Sequence, residues 1–339
     1  MARGNRRTPR QSGRRAFAAV ALAALGTLAS GATHAQAPAY PVKPVRIVVP
    51  YSAGGNVDLT ARVFARKFTD SFRQQVIVDN RPGASTIIGT EFVARSAPDG
   101  HTVLLTGSIT GPHTINPGLF AKLPYDTVRD FAPISLATRF SLALVVHPSL
   151  RATTVKELIA LARAKPGALN AATGGAGGSA HLALELLMSL SGTRFTQIHY
   201  KGNAPGLADT VAGQTFLMID TPSTALPQVR GGRLRVLAVT SLERSPQLPD
   251  TPTLAESGFP GYEVNVSLGL HAPTGTPRDI IDRLAAEVAR IARDNETRQL
   301  FAGQGSELLS STPDEFAAAV KADIAKWEKV IKQAGIKIE

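Results

Sequence analysis

Val45-Arg46-Ile47-Val48-Val49-Pro50 runs directly into Tyr51-Ser52-Ala53-Gly54-Gly55-Asn56-Val57-Asp58. The first six residues are a β-branched run closed by a proline, the composition of a short buried strand. A small-residue loop follows. From Asn56 a helical pattern opens, with apolar Leu59, Val63, Phe64 and Phe68 on one face. Strand, glycine loop and helix start make the first half of a βαβ unit.

The same alternation continues outward. Val76-Ile77-Val78 reads as the next strand and Asn80-Arg81-Pro82-Gly83 as a turn. Ser85 is placed to cap a helix carrying Ile88, Phe92 and Val93. Residues 102–106 form a third strand that runs into Gly107-Ser108-Ile109-Thr110-Gly111-Pro112. The pattern restarts after residue 139, with a strand at 142–146 and Thr154 opening a helix over 155–164. Lys165-Pro166-Gly167 stops that helix. A strand at 170–173, a glycine-rich loop and a helix over 180–190 come next. Short strands are expected at 197–200, 216–219 and 235–240, and helices at 277–293, 296–301 and 313–334. Strands alternating with helices predict an α/β fold with largely parallel sheets. Two such blocks predict two lobes around a central ligand cleft, with the ligand beyond the carboxyl ends of the strands.

Composition narrows the function. The 339 residues are 43% hydrophobic and 19% charged, enough for two globular domains. The absence of cysteine excludes disulfides, thiolate-ligated metals and a thiol nucleophile. The net charge of +11 points toward nucleic acid only until the first 35 residues are read. These hold six arginines and no acid, then an apolar run from Ala16 to Leu28 and a small-x-Ala exit at Thr33-His34-Ala35. That is the pattern of an export signal, and the run falls short of the ~20 residues of a spanning helix. Arg14-Arg15 leaves both the Sec and the twin-arginine route open. Without residues 1–35 the basic excess falls to five, with no basic block and no basic–aromatic interleaving. Nucleic acid is therefore not expected as a partner. A periplasmic protein is expected.

The loops after the strands have the chemistry of an anion cradle. In the first block, Ser52, Ala53, Gly54 and Gly55 lead into a helix start, where backbone N–H groups and the helix dipole favour a carboxylate. Asp58 is equally suited to bind a donor on the ligand or to stabilise its own first helical turn. Gly177, Gly178, Ser179 and Ala180 occupy the corresponding place in the second block, with His181 on the first turn to orient the loop or donate. Further candidates are Ser108 and Thr110, the Tyr200–Pro205 segment with Lys201 and Ala204, and Asp220.

Catalytic signatures are missing. There is no Gly-x-Ser-x-Gly, no His-Glu-x-x-His and no P-loop, and no two histidines stand three or four apart. No metal site and no cofactor are expected. Gly175-x-Gly177-x-x-Ala180 has dinucleotide spacing but lacks the acid about 20 residues on. Ser179, His181 and Asp220 make a poor triad, because residues two apart on one helical turn diverge.

Taken together, these motifs resemble the Bug family of periplasmic solute-binding proteins, the receptors of tripartite tricarboxylate transporters. The resemblance covers nearly all of residues 40–338. It rests on Tyr40-Pro41-x-Lys43-Pro44-Val45-Arg46, Val49-Pro50-Tyr51-x-x-Gly54-Gly55-x-x-Asp58 and Val78-Asp79-Asn80-Arg81-Pro82-Gly83-Ala84. It continues through Pro124-Tyr125-Asp126, Asp130-Phe131, Ala180-His181-Leu182 and Tyr200-Lys201-Gly202-x-Ala204-Pro205. Gly232-x-Leu234-Arg235-x-Leu237-Ala238-Val239-Thr240, Leu248-Pro249-Asp250-x-Pro252-Thr253 and Gly275-Thr276-Pro277 complete it.

The resemblance implies a two-lobed, type II periplasmic-binding-protein-like fold. Residues 40–139 plus 267–339 would form lobe one and 140–266 lobe two. It also implies a monomeric, non-enzymatic receptor. Such a receptor would close on a small organic anion, a mono- or dicarboxylate, and deliver it to membrane permease subunits. Carried over by motif, the contacts would be Ser52 to Gly55, Asp58, Ser108 and Thr110 in lobe one. In lobe two they would be Gly177 to Ala180, Ala204 and Asp220. Three positions depart from the family pattern: Gly178 where a hydroxyl residue is common, Asn203 where a small residue is usual, and Ser267-Leu268 in place of an aromatic pair. A periplasmic sensor serving a receptor kinase uses the same fold. An exported α/β hydrolase is the alternative from another class.

Overall fold

The computed structural model describes residues 1, 2, 4, 40–107, 112–120, 122–200 and 202–334. By internal contacts the chain divides into Met1–Tyr40 and Pro41–Glu339. The first unit lies almost wholly outside the described residues, and the export-signal expectation for residues 1–35 falls there with it.

The second unit begins with β1 (Val45–Val49), α1 (Asn56–Phe72), β2 (Val76–Asn80), α2 (Ile87–Ala94), β3 (Thr102–Gly107), α3 (Pro112–Leu119) and β4 (Phe131–Ser141). It continues with β5 (Ala143–Val146), α4 (Val155–Ala164), β6 (Asn170–Thr173), α5 (Ser179–Ser191), β7 (Thr196–His199), α6 (Asn203–Val211), β8 (Leu217–Asp220), α7 (Pro222–Arg230) and β9 (Arg235–Val239). It ends with β10 (Asn265–Pro273), α8 (Arg278–Ala292), α9 (Asn295–Gly303), β11 (Glu307–Leu308) and α10 (Pro313–Ala334).

The strands form two sheets, ordered β11-β4-β10-β3-β1-β2 and β7-β6-β8-β5-β9. Parallel pairing joins β1 to β2 and β3, and β6 to β7 and β8. Val45, Ile47, Val48 and Val49 of β1 are all fully buried. That is why this strand reads as a continuous apolar run and not as an alternation. Phe64 and Phe68 of α1 are buried edge to face, 6.1 Å apart, and Trp327 of α10 is fully buried.

In the second sheet β5 runs against the other strands, and in the first sheet β10 and the short edge strand β11 do. β5 is antiparallel to β8 and β9, and β10 is antiparallel to β3 and β4. The reason is connectivity. β4 ends in the first sheet at Ser141 and β5 begins in the second at Ala143. β5 therefore enters at the carboxyl end of its neighbours and must run down against them. Its first residue, Ala143, lies beside Asp220 and Val239, the last residues of β8 and β9. β10 re-enters the first sheet the same way, with Leu268 beside Gly107 at the end of β3.

The two crossings are tied together by Thr240, which is fully buried. Its hydroxyl accepts the Leu142 N–H at 2.7 Å and donates to the Val264 carbonyl at 2.6 Å. Its own N–H donates to the Leu142 carbonyl at 2.9 Å, and its carbonyl accepts the Val264 N–H at 2.8 Å. One residue thus satisfies four backbone groups at the place where the chain passes between sheets.

Three local expectations are corrected. β4 and β10 were not foreseen as strands, although Val266, Leu268, Leu270 and Ala272 alternate with the residues between them. Leu59 is exposed at 43%. The buried stripe of α1 runs through Thr60, Ala61, Phe64, Ala65 and Phe68 and leaves Leu59 on its flank. Ser85 does not cap α2, because Ala84, Ser85 and Thr86 all take positive φ (44°, 51° and 74°). Asn116 donates to the Ser85 carbonyl at 3.0 Å and holds this left-handed turn.

Candidate functional site

Two glycine loops leave the carboxyl ends of β1 and β6 and enter α1 and α5. Their backbones match. Gly54 has φ 87° and Gly177 has φ 78°, both left-handed. The next residues, Gly55 (φ −82°, ψ 170°) and Gly178 (φ −74°, ψ 165°), are extended helix N-caps with no side-chain cap bond. Only the first glycine of each pair needs glycine for its φ. Among the described residues, a Cβ on Gly55 would meet only the Ser52 carbonyl at 3.8 Å, and one on Gly178 only the Gly175 carbonyl at 3.4 Å. Internal packing therefore does not demand glycine at these N-caps. A serine or aspartate there would turn its oxygen onto the first-turn amides, whereas glycine leaves them to an outside acceptor.

The third residue of each helix closes its loop in the same manner. Asp58 Oδ2 accepts the Gly54 N–H at 2.9 Å, and His181 Nδ1 accepts the Gly177 N–H at 2.9 Å. Both side chains are buried. Asp58 also accepts from Arg62 Nε at 2.9 Å. Burial pushes the Asp58 carboxyl up, but the bonds from Arg62 and the Gly54 amide outweigh it, and its pKa ends below the ordinary value. His181 Nε2 faces Glu185 Oε1 at 3.5 Å, and Gln197 donates to the same oxygen. The His199 ring stands edge-on to His181 at 4.8 Å, with its Nδ1 2.7 Å from the Thr173 hydroxyl.

These bonds separate the predicted residues into two kinds. The amides of Gly54 and Gly177 serve their own loops, and Gly178 gives its N–H to Gly175 at 3.3 Å. Asp58 makes the self-stabilising bond foreseen for it, and His181 the orienting one. Ser52, Ala53 and Gly55 are exposed on the first loop, Ala204 is exposed in the first turn of α6, and Ser179 and Ala180 begin α5. Ser108, Thr110 and Lys201 lie outside the described residues. The Ser179–His181–Asp220 triad does not form. The His181 nitrogens face Gly177 and Glu185, and Asp220 is engaged elsewhere.

Asp220 ends β8, fully buried. Its Oδ1 accepts from Asn203 Nδ2 at 2.5 Å and its Oδ2 from the Thr224 hydroxyl at 2.7 Å. Burial raises its pKa to about 6 despite these bonds. A Cβ on Gly174 would sit 1.8 Å from Asn203 Oδ1, so the Asn203 amide lies where only glycine fits and joins the ends of β6 and β8. Asn203 therefore turns its donor onto Asp220. Sequence reading missed Thr224 and Arg62 as partners, although both stand four residues after the acid they serve. Ser267 and Leu268 are buried within β10.

Tyr51, beside the first loop, faces Thr106 with its hydroxyl at 3.5 Å, and burial pushes its pKa to about 12. A cavity of about 540 Å³ lined by Pro117, Phe120, Tyr125, Val128, Ile324 and Glu328 shares no residue with these loops. Among the described residues, no helix is long and apolar enough to cross a membrane, and no group of three His, Asp or Glu is placed to hold a metal ion.

The sequence matches the family described as "Tripartite tricarboxylate transporter family receptor" over residues 60–336. A solved structure of Rpa4515 from R. palustris with adipate is 35% identical, with TM-score 0.83, covering 88% of this chain and all of that one. The periplasmic binding protein BugD is 33% identical, with TM-score 0.80 and coverage of 88% and 100%. MatC from Rhodopseudomonas palustris, with bound malate, is 31% identical, with TM-score 0.78 and coverage of 86% and 100%. The chain therefore belongs to the tripartite tricarboxylate transporter receptor family, solute-binding proteins of two-lobed α/β fold that act outside the cytoplasm.

Proposed function

We propose that this receptor captures a small mono- or dicarboxylate between two lobes, residues 40–139 with 267–339 and residues 140–266, and delivers it to permease subunits of a tripartite transporter. The observation that carries the reading is the matched pair of glycine-capped helix starts, one per sheet. In each sheet one strand separates the loop from the Leu142–Thr240–Val264 crossing, β3 between β1 and β10 and β8 between β6 and β5. First-turn amides have no partner inside their own helix, and the dipole there favours negative charge. Charge-assisted bonds contribute ~1.5–3 kcal/mol each, so three or four, less the ordering cost, are compatible with micromolar binding at ~8 kcal/mol. The adipate and malate held by Rpa4515 and MatC are both dicarboxylates of this size class. Closure is a hinge motion about the two crossings, driven by contacts that exist only with both loops on the ligand. On this reading the protein is a monomer, exported to the periplasm by residues 1–35, and makes and breaks no bond.

The test is a thermal-shift screen of the purified protein against small carboxylates, adipate and malate included, beside neutral and cationic analogues. A folded-state ligand raises the melting temperature with its concentration. Stabilisation by one or more carboxylates and not by their amides is expected. Equal response to amides, or to none of the acids, overturns the reading.

A further inference from the structure

The mirrored loops differ in one chemical respect. Asp58 closes the first with a carboxylate, and His181 closes the second with an imidazole nitrogen. An Nδ1 that accepts an N–H cannot also carry a proton, so the observed bond from Gly177 at 2.9 Å requires a neutral ring with its hydrogen on Nε2. Glu185 Oε1 faces that Nε2 at 3.5 Å and is itself held by Gln197. The tautomer is thereby fixed from β7 and from the next turn of α5.

The ionisable neighbours are few. Glu185 lies on the same helix, and His199 of β7 stands edge-on at 4.8 Å. Burial, then the neighbouring His181 ring, lowers the His199 pKa. Arg163 of α4 donates to the Ser191 carbonyl at 2.8 Å and Tyr262 to the Ala183 carbonyl at 2.7 Å, and β8 and α10 also pack on α5. β8 carries Asp220, tied to Asn203 and Thr224. α10 carries Lys326, which donates to the Glu263 carbonyl at 3.4 Å, and Asp323, whose pKa burial raises to about 7.

We propose that His181 is a positioning residue for ligand capture. As a neutral acceptor it holds Gly177 in its left-handed conformation and so sets the direction in which the first turn of α5 meets the ligand. The inference rests on the carboxylate reading for its affinity readout, but not for its structural one.

Two measurements on the full chain test it, with His181→Gln, whose Oε1 can accept the same N–H without titrating, and His181→Ala. The first is calorimetric titration with adipate at neutral pH. His181→Gln should stay within about threefold of wild type, and His181→Ala should be about tenfold weaker. The second is hydrogen exchange at the Gly177 amide without ligand. Protection should be kept in His181→Gln and absent in His181→Ala. Adipate affinity in His181→Ala equal to that of wild type, or a Gly177 amide as protected in His181→Ala as in wild type, overturns the proposal. If adipate binds no variant, the carboxylate reading is what fails, and the exchange result alone decides the role of His181.

Discussion

The amide of Gly54 meets the carboxylate of Asp58 at 2.9 Å, four residues on, across the mouth of α1. The bond does two things at once. It ties the N–H of an exposed loop residue to a buried carboxylate, and it places a negative charge at the positive end of the helix. Asp58→Ala should lower unfolding free energy by about 2 kcal/mol in urea titrations at neutral pH. The pH dependence has a defined sign. The folded pKa is depressed, so the stabilisation is complete above the unfolded carboxylate value and is lost as pH falls through the lower folded value. Asp58→Asn should remove that contribution and flatten the acid limb of the stability curve.

Gly54 and Gly55 should respond oppositely to a methyl group. Gly54→Ala places a side chain at φ 87° and should cost about 1 kcal/mol of stability, visible as a lower melting temperature. A Cβ at Gly55 meets, among the described residues, only the Ser52 carbonyl at 3.8 Å, and Gly55→Val should leave the melting temperature nearly unchanged. It should nevertheless abolish carboxylate-induced stabilisation, because its branches stand where the anion approaches the amides. Carboxylate binding by Gly55→Val at wild-type strength would rule out the first loop as a cradle.

At the crossing, Thr240→Val keeps the shape and deletes a hydroxyl that both accepts and donates. The buried Leu142 N–H and Val264 carbonyl then lose a partner. A loss of about 2–4 kcal/mol is expected in equilibrium denaturation, with Thr240→Ser within about 1 kcal/mol of wild type. A Thr240→Val protein as stable as the serine variant would mean that these bonds carry no net weight.

Asp220 gives the reverse acid response to Asp58. Its folded pKa is raised to about 6 by burial, so the native state holds a proton that the unfolded chain has already released. Stability should therefore decline as pH rises from about 4 to about 6, by up to ~3 kcal/mol. Asp220→Asn should remove that slope, measured by denaturant titration at several pH values.

Much of this architecture could be read from the chain, for identifiable reasons. β1 announces itself because a strand covered on both faces must be apolar throughout. α4 announces itself through Thr154 and Glu157, whose reciprocal cap bonds are present at 3.2 and 3.3 Å. β4 and β10 escaped because Pro133, Gly269 and His271 interrupt their apolar runs. Their role comes from the crossing between sheets, a relation among distant residues that no local pattern carries. The glycine loops were legible as turns from a strand end into a helix start, and the self-closure by Asp58 and His181 was legible as one option of two. That Asp220 is engaged by Asn203 and Thr224 was not, because a carboxylate at a strand end looks the same in sequence whether it faces inward or outward.

The insertion of β10 between β3 and β4 has a consequence for how the chain is made. Every strand of the second sheet is contained in residues 143–239, whereas the first sheet cannot close until residues 265–273 have been synthesised. Contacts so far apart in sequence close slowly. A growing chain can therefore complete its second sheet while the first waits with an open seam, and any pause in that interval leaves the flanks of β3 and β4 without their shared neighbour.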